Sequence, residues 1–257
     1  MTILCYHSVE SGWNSPLAVQ PDDFAWQTGW LRQARRVLPL ATALDRLDRS
    51  GRLPRGEAAL TFDDGFAALY DQVLPVLRRE QLPATVFLVA QTLTPQGQPV
   101  DWVDTPGEKP LETLTLDQVL EMQDAGVDFQ SHSWAHLDLT QLSEAECVQD
   151  LVESRELLSD LLGRPVSLMA YPRGRHTGHV RRAAARAGYS HAFALPESAE
   201  EPEDHAVPRV GIFQGNGHLT MRIKSARPYL RLRTSGPVAR GGPRVKQLAR
   251  SLPLLKR

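Results

Sequence analysis

The sequence predicts an α/β protein built on a parallel β-sheet that closes into a barrel. Short apolar or β-branched runs alternate with helical periodicity about seven times over 257 residues. The residues with chemistry in them, His7, Asp63, Asp64, His132 and Tyr171, each fall where such a run ends, which is where a parallel barrel carries its site. At 42% hydrophobic the chain is long enough to bury one core, and no run of 18 apolar residues is present that would span a bilayer.

Thr2–His7 reads as the first strand and residues 12–21 as a loop. Residues 22–38 have helical spacing, with Asp22 or Asp23 as cap and Phe24, Trp26 and Trp30 on or near the buried side. Residues 45–53 read as a short helix stopped by Gly51 and Pro54, and residues 58–62 as a buried strand. Leu69, Val73, Val76 and Leu77 place one face of a helix over 66–81, and residues 84–89 form the next strand. The Pro- and Gly-rich stretch 92–111 reads as a surface loop. A helix over 115–125 ends at Gly126, and a strand over 127–130 leads into two histidines. Ser143 and Glu146 form a capping box for a long helix to Leu162. Residues 166–171 are a strand, 177–187 a helix closed by Gly188, and 190–194 and 207–213 short strands. Beyond about Leu219 no clean periodicity returns before Val245, residues 236–243 read as a flexible link, and the last 30 or so residues are expected to be weakly ordered.

Cys5 and Cys147 give no disulfide framework, and the N-terminus shows neither a basic leader nor a cleavage site, so a reduced, cytoplasmic setting is expected. The net charge of −1 conceals an asymmetry: residues 205–257 hold 12 Lys/Arg and no Asp/Glu, while residues 1–204 hold 17 basic and all 30 acidic residues. Such a basic extension suits the acidic body itself, an anionic membrane surface or nucleic acid. Its single aromatic after residue 215, Tyr229, is too few for a stacking platform, and no nucleic acid is expected.

Leu60-Thr61-Phe62-Asp63-Asp64-Gly65 places two adjacent carboxylates at a strand end, and Ser131-His132-Ser133-Trp134-Ala135-His136 answers it. Asp-Asp-Gly alone is an ordinary turn with a helix cap, and two histidines four apart are often surface residues near a helix start. Together, one carboxylate and two imidazoles form a three-ligand set for a divalent metal with an open position, a helical turn setting both histidines on one face, and the second carboxylate is left as a base.

These residues resemble the polysaccharide deacetylase family, the NodB-like carbohydrate esterases. Leu60–Phe66, His132–His136 and Tyr171-Pro172-Arg173-Gly174 resemble its three motifs, the last in the form of a subgroup that deacetylates poly-N-acetylglucosamine. Ile3-Leu4-Cys5-Tyr6-His7 resembles that subgroup's permuted last motif, and Leu82–Leu88 and Ala187-Gly188-Tyr189 agree with the connecting text. The resemblance covers residues 1–215, taken as the domain, with 216–257 as a basic extension. It implies a distorted (β/α)7 barrel; Asp64, His132 and His136 as ligands to zinc, with cobalt or nickel as substitutes; Asp63 as general base; His7 as general acid; and the Tyr171 N–H as an oxyanion donor in the Tyr171-Pro172-Arg173 turn.

One departure stands out. The arginine that opens the third motif in many members is replaced by Leu168-Met169-Ala170 before Tyr171, and Arg209 and Arg173 are the rival candidates to take its place beside the base. The function implied is removal of an N-acetyl group from an amino sugar during cell-envelope or surface-glycan synthesis, from a nucleotide sugar, a glycolipid or a lipid-carried glycan at the inner membrane face. A deformylase or other non-peptide amidase on the same site is the alternative. A non-catalytic glycan-binding module conflicts with retention of base, ligands and turn.

Overall fold

The computed structural model describes residues 2–50, 56–105, 107–196, 203–226 and Tyr229. In chain order the elements are β1 (Thr2–Tyr6), β2 (Ser8–Val9), β3 (Ala18–Val19), α1 (Pro21–Ala34), β4 (Arg36–Val37), α2 (Leu40–Ser50), β5 (Glu57–Phe62), α3 (Leu74–Glu80), β6 (Ala84–Leu88), α4 (Leu116–Asp124), β7 (Asp128–Ser131), α5 (Glu144–Leu162), β8 (Leu168–Ala170), α6 (Gly178–Arg186), β9 (His191–Ala194), β10 (Val207–Pro208), β11 (Val210–Gly211) and α7 (His218–Lys224).

The principal sheet runs β10-β9-β8-β7-β6-β5-β1-β11, with β4 added beside β5, and its pairings are parallel. The two ends of this order, β10 and β11, are one piece of chain. Val207 and Pro208 pair with Phe193 and Ala194 of β9, and Val210 and Gly211 pair with Leu4 and Cys5 of β1. Arg209 sits between, and residues 207–211 thereby close the ring as its seventh stave: a distorted (β/α)7 barrel. The single strand expected over 207–213 divides because no one neighbour flanks all of it.

Alternation along the strands sorts the side chains into two layers. Ile3, Ala59, Phe87, Leu168, Ala170, Phe193 and Val207 meet inside the barrel, joined by Leu40, Ala43 and Leu44 of α2. Their neighbours in sequence, among them Leu4, Leu60, Phe62, Val86, Met169 and Ala194, form the larger layer beneath the helices. The buried strands therefore read as continuous apolar runs, as parallel strands do.

Several boundaries differ from the sequence expectation. Helix α1 begins at Pro21 with Gln20 as its cap residue, so Asp22 and Asp23 lie in the first turn near the positive end of the helix dipole. It stops at Ala34 because Arg36 and Val37 pair with Glu57 and Ala58. Helix α2 starts at Leu40, earlier than expected, since its first turn is buried; residues 51–55, expected to stop it, lie outside the described residues. A π-helical turn, Leu69–Val73, precedes α3, as suits Pro75, which has no N–H to return to Asp71. The capping box of α5 forms as expected, Ser143 Oγ accepting from the Glu146 N–H at 3.3 Å and Glu146 Oε2 from the Ser143 N–H at 2.8 Å.

Helix α7 was not legible as a helix. It packs on the barrel through buried Met221, while Gln27 Nε2 donates to the Asn216 carbonyl (2.8 Å) and Thr2 Oγ1 to that of Ser225 (3.1 Å). The packed body thus runs past residue 215. Most of the basic extension, with the weak order expected there, lies outside the described residues. Among the described residues, no helix is long and apolar enough to cross a membrane.

Candidate active site

The C-terminal ends of the strands converge on one cluster. Asp63 and Asp64 follow β5, His132 follows β7, His7 follows β1, and Arg209 enters from the closing segment. Asp63, Asp64, His132 and Arg209 are almost wholly buried.

Asp64 turns toward the histidines because it adopts a left-handed backbone, φ 70°, followed by Gly65 at 68°. Its Oδ1 lies 3.5 Å from His132 Nε2 and 3.3 Å from His136 Nε2. His132 Nδ1 donates to the Ala170 carbonyl at 2.8 Å; a carbonyl only accepts, so Nε2 presents its lone pair to Asp64. The helical turn expected to bring the two histidines onto one face does not form. Residues 132–136 form an irregular loop in which Ser133 (φ 72°) and His136 (φ 56°) are left-handed. The loop is tied on each side: the His132 N–H to Leu88 O, the Ala90 and Gln91 N–H to Ser133 and Trp134 O, the Trp134 N–H to Asp150 Oδ1, and the His136 N–H to Ser133 Oγ.

The His132 lone pair thus faces the carboxyl group, and buried Asp64 Oδ1 and His136 Nδ1 have no hydrogen-bond partner. Burial, then the Asp63 charge, push the Asp64 carboxyl well above the usual carboxylate range, while burial pulls His132 below the usual imidazole value and His136 down to about 2. Two neutral imidazoles and a carboxylate that lacks a counter-charge match what a divalent cation requires, and Asp64, His132 and His136 form a group able to hold one.

Asp63 is supported in the opposite way. Arg209 donates to both its oxygens, Nη1 to Oδ1 and Nη2 to Oδ2, each at 2.7 Å, and Nη1 also to Thr61 Oγ1 at 3.2 Å. Phe87 and Phe193 flank the guanidinium, at 5.3 and 5.9 Å from ring centroids. Burial pushes the Asp63 carboxyl up, but the Arg209 charge, His132 and the Arg209 hydrogen bonds outweigh it and hold Asp63 well below the usual range. Of the two rival arginines, Arg209 meets Asp63. Arg173 turns away, donating Nη2 to Trp102 O at 2.9 Å and Nη1 to Asp104 Oδ1 at 3.3 Å.

His7 is half-buried at the rim, its ring 6.4 Å from that of Phe213. Burial lowers its pKa to about 4, against the opposing pull of Asp63. The Tyr171 assignment is corrected by the sheet. Its N–H donates to Phe193 O at 3.0 Å, its ring is buried in the layer beneath the helices, and its Oη donates to His205 O at 2.9 Å, so it has no amide to offer an oxyanion. Pro172 and Gly174 of the same turn are buried, and Arg173 is left-handed at φ 58°. A Cβ on Gly174 (φ 68°) would sit 2.7 Å from the Leu195 backbone nitrogen. Gly174→Ala is expected to cost about 3 kcal/mol or more in urea unfolding, from left-handed strain plus backbone overlap.

Two site residues escaped the sequence reading. Trp102, from the aperiodic loop, stacks on His136 with centroids 5.1 Å apart; a tryptophan in a Pro/Gly-rich stretch was its only signal. Cys5 donates to Asp63 Oδ2 at 3.3 Å, and its signal was the period-two phase it shares with His7. Asp150 acts from behind, through Trp134. Burial raises its pKa from 3.8 to about 6, so the folded state holds a proton that the unfolded chain releases between those values. Stability should therefore fall by up to about 3 kcal/mol as pH rises from about 4 to about 6. Asp150→Asn keeps an acceptor for Trp134 and should remove that share of the slope in pH-dependent denaturation.

The sequence profile of the polysaccharide deacetylase family matches residues 50–192, more than half of the chain. YxkH of Bacillus subtilis strain 168 is 26% identical over 218 residues, 84% of this chain and 72% of that protein. The poly-beta-1,6-N-acetyl-D-glucosamine N-deacetylase of Staphylococcus epidermidis is 24% identical over 207 residues, 75% and 67% of the two chains. Among solved structures, the Streptococcus pyogenes deacetylase PplD in complex with acetate superposes with a TM-score of 0.74 at 24% identity, covering 88% of this chain and 98% of that one, a likeness of fold. With barrel, profile and relatives in agreement, the chain belongs to the polysaccharide deacetylase (NodB-homology) family of carbohydrate esterases, N-deacetylases that hydrolyse carbon–nitrogen bonds other than peptide bonds.

Proposed function

We propose that this protein removes the N-acetyl group from an N-acetylglucosamine-type glycan or its precursor, releasing acetate and a free amine. The observation that supports this most directly is the adjacency of two unlike carboxylates: Asp64, whose free oxygen faces two imidazole nitrogens, and Asp63, clamped by Arg209. The Staphylococcus epidermidis relative, named for a poly-β-1,6-N-acetylglucosamine substrate, supports the sugar class.

Asp64, His132 and His136 would hold the metal; the imidazole-rich set suits zinc, with cobalt or nickel as substitutes. When bound, the metal supplies Lewis acidity toward the acetamide carbonyl and acidifies a water. Asp63 accepts the proton of the attacking water, oriented by Arg209, which acts as a positioning residue. His7, neutral at rest, has a nitrogen within 4.8 Å of an Asp63 oxygen and relays to the departing amine the proton that Asp63 takes from the water. The carbonyl oxygen needs a backbone donor as negative charge builds on it. In the third-motif turn Tyr171, Gly174 and Arg175 spend their N–H groups on Phe193, Tyr171 and Pro172 carbonyls, and Pro172 has none. The Arg173 amide is the donor the turn has left. Trp102, stacked on His136, forms a wall beside it.

The test is acetate release from an N-acetylglucosamine oligomer, a nucleotide sugar and a lipid-linked sugar, together with metal content. About one metal per chain and acetate from any of the three are expected, with activity lost to a chelator and regained with zinc. Formate from N-formyl analogues in place of acetate would move the reading to a deformylase. A chain that binds no metal after zinc is supplied would overturn it.

A further inference from the structure

We infer that the barrel mouth carries a second cation site, formed by Cys5, His7 and Asp63, that takes zinc or another thiophilic divalent ion. Cys5 and His7 are two residues apart at the end of β1 and so share a side of the strand. One ligand atom from each, and one from Asp63, lie within 4.8 Å of one another. The Cys5 thiol is 3.3 Å from Asp63 Oδ2, and His7 Nδ1 is buried without a hydrogen-bond partner. Sulfur, imidazole nitrogen and carboxylate oxygen make a donor set that zinc accepts in tetrahedral geometry and that magnesium or calcium does not favour.

The balance of charge sets the strength of this site. An entering cation brings two positive charges, and the Cys5 thiol gives its proton to solvent as its sulfur becomes a ligand, with no change of oxidation state. The net gain is one positive charge, beside an Arg209 guanidinium that already holds Asp63. The site is therefore weaker than the Asp64–His132–His136 trio and fills only when metal exceeds one equivalent. The site itself stands on the geometry of these three side chains. Its consequence rests on the roles proposed above: a cation there withdraws both the base, Asp63, and the acid, His7, so excess zinc inhibits.

The trio contains no sulfur, which makes the two sites spectroscopically distinct. The full chain, stripped of metal, is titrated with cobalt(II). The first equivalent should produce no thiolate-to-cobalt charge-transfer band in the near ultraviolet, and the second should produce one. Cys5→Ser should lose the band, keep the first-equivalent spectrum as evidence of an intact fold, and raise the zinc concentration for half-inhibition at least tenfold. The other cysteine, Cys147, spends its thiol on Leu139 O beneath α5, and Cys147→Ser should keep the band. Absence of a second equivalent, a second equivalent without the band, or a band that survives Cys5→Ser overturns the site. The band without zinc inhibition keeps the site and overturns the roles of Asp63 and His7.

Discussion

Asp63→Asn should lower turnover by about 10²–10⁴-fold, the range general-base catalysis supplies, while about one metal per chain remains bound. The two effects separate because Asp63 and Asp64, though adjacent, belong to different constellations. Asp64 points to the histidines, and Asp63 points to Arg209. The same substitution should also destabilise the fold. Asn offers one acceptor to a fork that held two, its amide nitrogen opposes the guanidinium, and a fully buried Arg209 keeps its charge without a counter-charge. A cost of about 3–5 kcal/mol is expected for breaking a buried pair from one side. Acetate-release kinetics and metal analysis, run well below the variant's unfolding temperature, check both halves. Retention of turnover would show that Asp63 is not the base.

The second large effect is at Arg209. Arg209→Met keeps length and apolar packing between Phe87 and Phe193 but strips Asp63 of both charge-assisted donors. Stability should again fall by about 3–5 kcal/mol, and turnover should fall with it, because an unheld carboxylate no longer addresses the attacking water. Arg209→Lys should rescue little, since a point charge cannot replace a planar fork. The decisive measurement is the double variant Asp63→Asn/Arg209→Met in urea unfolding. With neither charge left in the barrel it should be more stable than either single variant, a coupling of several kcal/mol. Additive losses would show that the two residues are not a unit.

Much of this architecture was readable from the chain because buried parallel strands are apolar runs and the site residues punctuate their ends. Leu60–Asp64 carried both signals at once. What escaped depended on backbone conformation or on distant closure. Left-handed φ at Ser133 and His136 replaces the helical turn that their spacing of four suggested. The Tyr171 amide looked available until β9 was placed beside it, since nothing local to Tyr171-Pro172-Arg173-Gly174 reveals Phe193. Arg209 was recognisable only as the answer to a gap, and sequence alone left it level with Arg173. Trp102 lacked any periodicity to read. Four of the non-glycine residues with positive φ, Asp64, Ser133, His136 and Arg173, cluster at the site, where strain is maintained by surrounding bonds.

The seam at residues 207–211 gives the protein a clock. The proposed metal ligands lie between residues 64 and 136, and the contacts that brace them reach on to Asp150 and Ala170. The clamp on the base does not assemble until Val210 reaches Leu4, a contact between segments some two hundred residues apart. Contacts of that separation form late, because the chain must lose most of its freedom before they repay it. During synthesis, the stave that braces Asp63 would be the last to dock.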